Sequence, residues 1–379
     1  MSETYDAAVI GAGAFGAWCA LHLRRAGRSV MLLDAYGAGN NRSSSGGESR
    51  IIRMGYGAEE IYTRWAMRSL TMWLDLFQQV GDPCLFHRTG LLWTAPRNDG
   101  HAARTRETLL RCGVEFEELA AGELARQFPQ ITLPPDNEGI FEPNSGVLMA
   151  RRAVQAVVRQ AVADGVDYFR AAVQPPAGNE IKTTTGESIR AETFVLACGS
   201  WLPKLFPEVI GDRIRATRQE VFFFGAPAGD NRFAPPSMPA WIDFCDVRGA
   251  YALPDLENRG LKVAFDERGR QVDPDLENRQ VEGLEMARAF LAERFPALVR
   301  APLVEARVCQ YEVTSSGDFL IDRHPEHANI WFAGGGSGHG FKHAPMVGEY
   351  AAAAIDRGST PDARFALATK SVLESRTVY

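Results

Sequence analysis

The chain has 379 residues, of which 45% are hydrophobic and 23% charged, and its formal net charge is -6 at pH 7. This composition is typical of a globular protein, and the length allows two domains or one large composite. The negative charge and the lack of a basic run argue against a nucleic-acid partner and a membrane surface. No segment is long and apolar enough to predict a membrane span.

The first predicted elements are a strand, a helix and a second strand. Apolar residues 7–10 predict a buried strand that leads into the turn GAGAFG at residues 11–16. A helix then extends to about Arg25, and residues 30–33 predict the second buried strand. The uncharged run 7–23 could be mistaken for a signal-peptide core, but its flank is acidic and the glycine pattern explains it better. We therefore expect a cytoplasmic protein.

The turn between these elements has the spacing of a dinucleotide-binding loop. Gly11 permits the tight bend, Gly13 lets the backbone approach a pyrophosphate, and Gly16 lets helix and strand pack closely. The N–H groups and positive dipole at the helix start favour phosphate. Asp34, 23 residues after Gly11, is placed to accept hydrogen bonds from a ribose. The stretch predicts dinucleotide binding, whereas the glycines alone could equally serve a turn.

Cysteine spacing excludes some kinds of site. None of the cysteines forms a CxxC pair, so no metal site is predicted. Without a secretion signal disulfides are not expected, and most of the thiols are interpreted as small buried hydrophobes. The six are Cys19, Cys84, Cys112, Cys198, Cys245 and Cys309.

A polar, glycine-rich loop, GAGNNRSSSGGES, occupies residues 37–49. A loop of this length in a compact domain is usually functional, and a mobile surface loop is the alternative. Two arginines flank an apolar pair at residues 50–53, and residues 59–80 predict a helix with one apolar face. The cofactor contacts assigned to the loop are Arg42, Ser43 and Ser44.

The middle of the chain leaves the nucleotide domain and returns to it. Residues 81–144 mix strand-like runs with helical patches and prolines, which predicts an excursion into a second domain. A helix at 150–163, a hairpin at 180–190 and a buried strand at 193–197 then predict the return.

Residues 215–310 are largely strands, interrupted by one helix at 281–294. A mostly antiparallel sheet covered by helices is the expected product. The predicted strands are 220–224, 249–253, 261–265 and 304–310.

A second glycine-rich junction, GGGSGHGFK at residues 334–342, lies between a strand at 330–333 and a helix at 345–356. Two such junctions at opposite ends of the chain indicate one ligand held along its length. This favours a flavin dinucleotide, whose ring must be held near a substrate, over a nicotinamide dinucleotide.

Further segments are distinctive in sequence: GESRIIR at 47–53, CGSW at 198–201, GLKVAF at 260–265, and CQYEVTSSGDFLIDRHPEHANIWFAGGGSGHGFKHAPMVGE at 309–349. With the first glycine motif, they resemble monomeric sarcosine oxidase and its N-methyl amino-acid oxidase relatives. These belong to the glycine oxidase and D-amino-acid oxidase superfamily of FAD-dependent oxidoreductases. The resemblance covers nearly the full length, in the same order.

The resemblance implies an α/β (α+β) fold of two domains. A Rossmann-like FAD-binding domain would comprise residues 1–80, 145–214 and 315–379. A second, mostly antiparallel β-sheet domain for the substrate would comprise residues 81–144 and 215–314.

The resemblance also implies how FAD is held. Cys309 matches the cysteine joined through sulfur to the flavin 8α-methyl group, which suits a thiolate adding to an electrophilic carbon. The alternative is a buried strand cysteine. The second junction would lie against the pyrimidine end of the flavin, where His339 is interpreted as structural or a flavin neighbour rather than a base. The implied cofactor contacts there are Gly335, Gly338, His339, Gly340, Phe341 and Lys342.

Reaction roles are implied for a further set of residues. Arg53 and Lys342 match the pair that holds the substrate carboxylate. Lys262 matches the lysine that promotes reaction of the reduced flavin with oxygen, and Arg50 an arginine near the flavin ring. Two tyrosines, Tyr311 and Tyr251, are expected in the pocket.

Three positions depart from the sarcosine oxidase pattern. Gly46 and Asp266 stand where the family has histidines, and His343 stands where an aromatic residue commonly follows the lysine. The carboxylate-binding pair, Arg53 and Lys342 (the clamp), and the oxygen-activating Lys262 are retained, while the residues around them change. We therefore expect amine oxidation, but of a bulkier, more polar or cyclic amino acid rather than sarcosine.

The sequence thus predicts an FAD-dependent oxidase that takes a secondary or cyclic amino acid to the imine, with O2 reduced to H2O2. Its partners would be a small-molecule amine and O2, and the protein a monomer or weak homo-oligomer. The alternatives are a dehydrogenase that passes electrons to a quinone or partner protein, a nicotinamide-dependent dehydrogenase, and a non-catalytic flavin-binding protein.

Overall fold

The structure is a computed structural model and describes residues 4–244, 249–266, 269–275, 278–358 and 361–372. Cys245, interpreted with the other thiols, lies outside these ranges. The strands are β1 (Thr4–Ile10), β2 (Val30–Asp34), β3 (Arg50–Ile52), β4 (Phe86–His87), β5 (Leu91–Pro96), β6 (Glu117–Leu119), β7 (Asn137–Glu142), β8 (Gly146–Leu148), β9 (Asp167–Arg170), β10 (Glu180–Lys182), β11 (Ser188–Leu196), β12 (Ile214–Phe224), β13 (Ala240–Asp243), β14 (Ala250–Leu253), β15 (Leu261–Phe265), β16 (Leu303–Thr314), β17 (Leu320–Arg323) and β18 (Ile330–Gly334). The α-helices are α1 (Ala14–Arg25), α2 (Glu60–Gln79), α3 (Gly100–Cys112), α4 (Ala121–Gln127), α5 (Ala150–Ala163), α6 (Leu202–Leu205), α7 (Leu284–Arg294) and α8 (Ala344–Arg357).

A seven-stranded sheet carries both glycine-rich junctions. Its strand order is β17-β18-β11-β1-β2-β9, with β10 paired to β11. The central pairs are parallel, and the parallel strands β1 and β18 are buried along most of their length. Because β1 and β18 both flank β11, the loops after their carboxyl ends meet at one edge. The predicted hairpin at 180–190 is confirmed by the antiparallel pair β10–β11.

Helices α1 and α8 pack closely over this sheet. A Cβ on Gly348 would lie 2.6 Å from the backbone carbon of Trp18, so only glycine lets α8 approach α1 so closely. The Trp18 ring also packs edge-on against Trp73 of α2, with centroids 5.1 Å apart. These contacts fix the helix that begins at the first glycine turn.

An eight-stranded sheet has the order β16-β12-β15-β14-β13-β5-β7-β6, antiparallel except where β13 joins β5. The predicted strand 261–265 and helix 150–163 match β15 and α5. The predicted helix at 281–294 starts late, at Leu284. The carboxylate of Glu220 on β12 accepts hydrogen bonds from the backbone N–H groups of Glu282 and Gly283, which holds the preceding segment out of the helix.

A third sheet has the order β3-β8-β4, and the RIIR segment begins in its strand β3. The strands of the seven-stranded sheet all lie in the segments assigned to the FAD-binding domain, but the two-domain division itself stays a prediction. Within the described ranges, no helix has the length and hydropathy to cross a bilayer.

Candidate active site

A cavity of about 400 Å³ runs between the two glycine-rich junctions. It extends from Asp34, at the end of β2, to Arg50 and Phe341. The predicted cofactor residues that line it are Gly11, Gly13, Asp34, Ser43, Ser44, Gly338, Gly340 and Phe341. Those that do not are Gly16, Arg42, Cys309, Gly335, His339 and Lys342.

The first glycine turn brings α1 close to the sheet. Gly11 has φ +104°, and a Cβ there would lie 2.3 Å from the carbonyl oxygen of Ala197. A Cβ on Gly16 would lie 1.8 Å from the carbonyl oxygen of Gly11, so Gly16 serves the packing of helix on strand. Asp34 accepts hydrogen bonds from the backbone N–H of Ala12 and of Tyr36, both at 2.8 Å. Its carboxylate thus ties the turn to the loop that follows β2.

The loop at residues 37–49 is anchored to the cavity wall. Ser45 Oγ accepts a hydrogen bond from the backbone N–H of Ala14, the first residue of α1, at 3.0 Å. Ser44 Oγ donates to Glu312 Oε2 of β16 at 2.6 Å. Arg42 instead stacks over the ring of Tyr36, 4.4 Å from its centroid. These bonds hold the serines against the start of α1.

The cavity fits a flavin dinucleotide. Helix α1 begins at the wall of the cavity and has no acidic residue in its first turn, so its positive N-terminal dipole favours an anion there. At the opposite end Gly338 has φ +83°, and a Cβ would lie 2.7 Å from the Tyr311 ring, so the glycine keeps that space open. Phosphate donors at one end and glycine-lined space at the other suit the two halves of FAD.

Cys309 lies beside the cavity rather than in its wall. It pairs with Gln219 of β12 and is partly buried. Its Sγ lies 3.4 Å from Arg50 Nη2 and 3.9 Å from the Ser44 carbonyl oxygen, and both of these residues line the large cavity.

A second cavity, of about 100 Å³, adjoins the first and shares Arg50, Tyr311, Gly338 and Phe341 with it. Charged side chains converge on it from separate elements. Its wall also includes Arg53, Lys262, Lys342, Asp266, His339, Tyr251, Trp93 and Phe244.

Arg53 and Lys342 lie close together and are 4% and 5% exposed. The guanidinium of Arg53 lies over the ring of Tyr56 at 4.0 Å and that of Trp93 at 4.7 Å, and it donates to the Gly55 carbonyl oxygen. Lys342 Nζ donates to Tyr56 Oη at 2.9 Å and to the carbonyl oxygen of His339 at 3.0 Å. Burial, and then repulsion from Arg53, hold the pKa of Lys342 well below its usual range. An anion bound here would raise the pKa of Lys342 and so favour its charged form.

Lys262, on β15, is 2% exposed and donates from Nζ to the Ser49 carbonyl oxygen at 3.0 Å. Burial, followed by repulsion from Arg50, lowers its pKa to about 7. Burial also raises the pKa of Tyr251 to about 12, and that of Tyr311 well above its usual value. Lys262 therefore changes its charge close to neutral pH.

The three departures from the family pattern occupy different surroundings. Gly46 is enclosed, because a Cβ would lie 1.9 Å from the carbonyl oxygen of Asn40. Asp266 lines the smaller cavity. His343 is fully buried outside both cavities, where its Nε2 lies 2.8 Å from Tyr56 Oη. The side chain of His343 thus contacts Tyr56, which in turn contacts both Arg53 and Lys342.

His339 has a structural environment as well as a place in the cavity wall. Its Nε2 lies 2.9 Å from the Gly317 carbonyl oxygen, and its ring stacks on Phe319 with centroids 4.8 Å apart. Burial within this cluster fixes the ring orientation.

Sequence reasoning missed several residues of the site, among them Tyr56 and Glu312. Tyr56 is fully buried and contacts both members of the clamp, and Glu312 lines the large cavity. Both fall within or next to the segments that carry the family resemblance, which was the available signal.

Comparisons with known proteins agree with this geometry. The FAD dependent oxidoreductase (DAO) family model matches residues 6–354. The monomeric sarcosine oxidase of Bacillus sp. (strain B-0618) is 31% identical over 92% of this chain and 91% of its own. The N-methyl-L-tryptophan oxidase of Citrobacter koseri is 29% identical over 92% of this chain and 94% of its own. The L-proline dehydrogenase of P. horikoshii has the same fold, with a TM-score of 0.84 at 21% identity, over 97% of this chain and 98% of its own. The chain therefore belongs to the DAO family of FAD-dependent oxidoreductases.

Proposed function

We propose that this enzyme oxidises a secondary or cyclic amino acid to the imine, with oxygen as the electron acceptor. One observation carries the proposal: Arg53, Lys342 and Lys262 converge on a cavity that shares four wall residues with the FAD cavity. An amino acid held there would have its carboxylate on the cations and its amine near the cofactor. The sarcosine and N-methyl-L-tryptophan oxidases among its relatives support this substrate class.

Arg53 and Lys342 orient the substrate. A guanidinium and an ammonium that are both buried bind a carboxylate far more strongly than exposed cations do. Arg53 is fixed between the rings of Tyr56 and Trp93, so little side-chain freedom is lost on binding. Carboxylate binding also places a negative charge beside Lys342, which raises its pKa and favours the ammonium form.

When bound, FAD would supply a two-electron acceptor, at N5, for the hydride from the carbon next to the nitrogen, and O2 would take up those two electrons with two protons to give hydrogen peroxide. The amine binds uncharged, since hydride loss requires its lone pair. Lys262 supplies a positive charge in a dry wall, where it favours the negative charge that develops on oxygen. Cys309 is proposed to hold the flavin through a thioether.

The substrate is proposed to be bulkier or more polar than sarcosine. Asp266 adds a carboxylate to a wall that is otherwise cationic and aromatic. Such a group favours a hydrogen-bond donor or a cation on the substrate, remote from its carboxylate.

An anaerobic screen of N-methyl, N-alkyl and cyclic amino acids tests the proposal, with bleaching of the flavin absorption as the readout. Reoxidation by air with release of hydrogen peroxide is the expected second result. Bleaching followed by slow reoxidation in air, but fast reoxidation by a quinone, would show a dehydrogenase instead. Failure of every amine to bleach the flavin would refute the proposal.

A further inference from the structure

Glu312 is a buried carboxyl group that faces the FAD cavity and that the proposed reaction does not use. Its side chain is on β16, and the residue is 9% exposed. It lines the large cavity between the two glycine-rich junctions. Among the described residues, no lysine, arginine or histidine forms an ion pair with it. A carboxyl in this position faces the cofactor without a compensating cation.

Three turns enclose the carboxyl group. Ser44 Oγ donates to Oε2 at 2.6 Å, and the backbone N–H of Gly336 donates to the same group. A Cβ on Gly336 would lie 3.0 Å from Oε1, and one on Gly199 would lie 3.5 Å from Oε2. Gly199 and Gly336 thus let the backbone come close to the carboxyl group of Glu312. The side of the carboxyl group that they leave open faces the cavity.

Glu312 lies in the middle of the large cavity, between the start of α1 and the second glycine-rich junction. On one side, Ser44 adjoins Ser45, whose Oγ accepts a hydrogen bond from the backbone N–H of Ala14, the first residue of α1. Phosphate would bind at this end of the helix. On the other side, the backbone N–H of Ser337 in the second junction donates to the Glu312 carbonyl oxygen at 2.9 Å. The part of FAD between its adenosine and its flavin ring consists of the pyrophosphate and the ribityl chain, both rich in oxygen.

The charge of the surroundings determines whether Glu312 contacts that part of FAD as a neutral acid or as a carboxylate. Burial raises its pKa, against the opposing effect of the bonds from Ser44 and Gly336. The pyrophosphate brings further negative charge into the same dry cavity, which disfavours the carboxylate still more. A neutral carboxyl accepts from Ser44 and has an O–H to donate to a cofactor oxygen.

Other titratable groups face the same space. Tyr311 is the neighbour of Glu312 on β16, Arg50 is on β3, and Cys198 directly precedes Gly199. Further along the wall are Asp34, Tyr36, Lys204 and Asp275. Arg50 donates to the carbonyl oxygens of Ser44 and Ser49 rather than to Glu312.

We propose that Glu312 is a cofactor-binding residue that meets FAD as a neutral acid, so that FAD binding takes up one proton when Glu312 is ionised beforehand. The proton comes from solvent and stays on the Glu312 carboxyl, whose O–H donates to an oxygen of the ribityl chain or pyrophosphate. The proposal depends on FAD binding and not on the identity of the amine.

Reversible FAD binding to the full-length Cys309→Ser protein tests this, because that change prevents a thioether. The Kd is measured from quenching of flavin fluorescence between pH 5 and 9 at fixed ionic strength. We expect Kd to rise with pH, by up to about tenfold per unit within the window set by Glu312. In Cys309→Ser/Glu312→Gln, which keeps a donor of the same shape, Kd should stay near its low-pH value and the rise should be lost.

Lys262 also titrates near neutrality, so Cys309→Ser/Lys262→Met is the matched control, in which the Glu312-dependent rise must persist. Calorimetry of the Cys309→Ser protein in two buffers of different ionisation enthalpy gives the proton uptake directly, whether or not the Gln variant folds. An uptake that approaches one proton supports the proposal. An uptake of zero throughout, or the same rise of Kd in the Gln variant, would overturn it.

Discussion

Replacing Lys262 by methionine should stabilise the protein while it slows reoxidation of the flavin. The pKa of Lys262 falls from 10.5 to about 7 on folding, because its side chain is buried. At 1.36 kcal/mol per pKa unit, holding this lysine protonated costs about 5 kcal/mol below pH 7. The folded pKa is lowered, so the unfolded chain binds more protons between pH 7 and 10.5. The cost therefore shrinks as pH rises, to about 2 kcal/mol at pH 9 and almost nothing above pH 10.5.

Methionine has a similar length and carries no charge, so it removes this cost. The free energy of unfolding, from denaturant titration at pH 6 and at pH 10, should rise in the variant by several kcal/mol at pH 6 and by far less at pH 10. Stopped-flow mixing of the reduced enzyme with oxygen should show slower reoxidation, whereas anaerobic reduction by substrate changes little.

Lys370 provides a matched control. It is 3% exposed, lies outside both cavities, and burial lowers its pKa to about 8. Lys370→Met should show a gain in stability with the same pH trend but a smaller size, about 3 kcal/mol below pH 8, with unchanged reoxidation. If Lys262→Met destabilises the protein equally at pH 6 and pH 10, the assignment of a buried, partly neutralised lysine is wrong.

Other substitutions test the clamp, the flavin link and the closed position at residue 46. Arg53→Lys removes the planar fork and should raise the KM for the amino acid about ten- to a hundredfold, the equivalent of about 1.4–2.8 kcal/mol, measured by steady-state kinetics. Cys309→Ser should leave the protein yellow, but acid precipitation should then release the flavin into the supernatant, whereas the unchanged protein retains it in the pellet. Gly46→Ala places a Cβ 1.9 Å from the Asn40 carbonyl oxygen and should lower the Tm by several degrees, because the backbone must shift; an unchanged Tm would contradict this packing.

Local patterns predicted most of the elements. Helix α5 and strand β15 match their predicted bounds because each has a periodic or continuous apolar run between clear breaks. The start of α7 was predicted too early. The backbone N–H groups of Glu282 and Gly283, just before the helix, donate to the carboxylate of Glu220, which lies more than 60 residues earlier in the chain. Such a long-range partner leaves no trace in the local sequence.

The site was harder to predict, because strand side chains alternate between faces. Glu312 and Tyr311 are neighbours on β16, so their side chains point to opposite faces of the strand. The register of β16 against β12 determines which residues each side chain contacts. His343 was expected to change the polarity of the pocket, but the helical turn after Phe341 directs it into the core behind Tyr56. Gly16 of the first junction could be predicted because the contact that requires it, with the carbonyl oxygen of Gly11, lies within the motif itself.

Burial governs the chemistry of both lysines in the smaller cavity. Lys262 and Lys342 are almost wholly enclosed, and each has a pKa lowered first by burial and then by a neighbouring arginine. A buried lysine of this kind gains from an incoming negative charge, because that charge raises its pKa and favours the ammonium form. If Arg53 and Lys342 bind a carboxylate as proposed, substrate affinity should fall as pH rises, because proton uptake by Lys342 accompanies binding. The same physics would make Lys262 responsive to charge that develops on oxygen, so one dry wall serves both halves of the reaction.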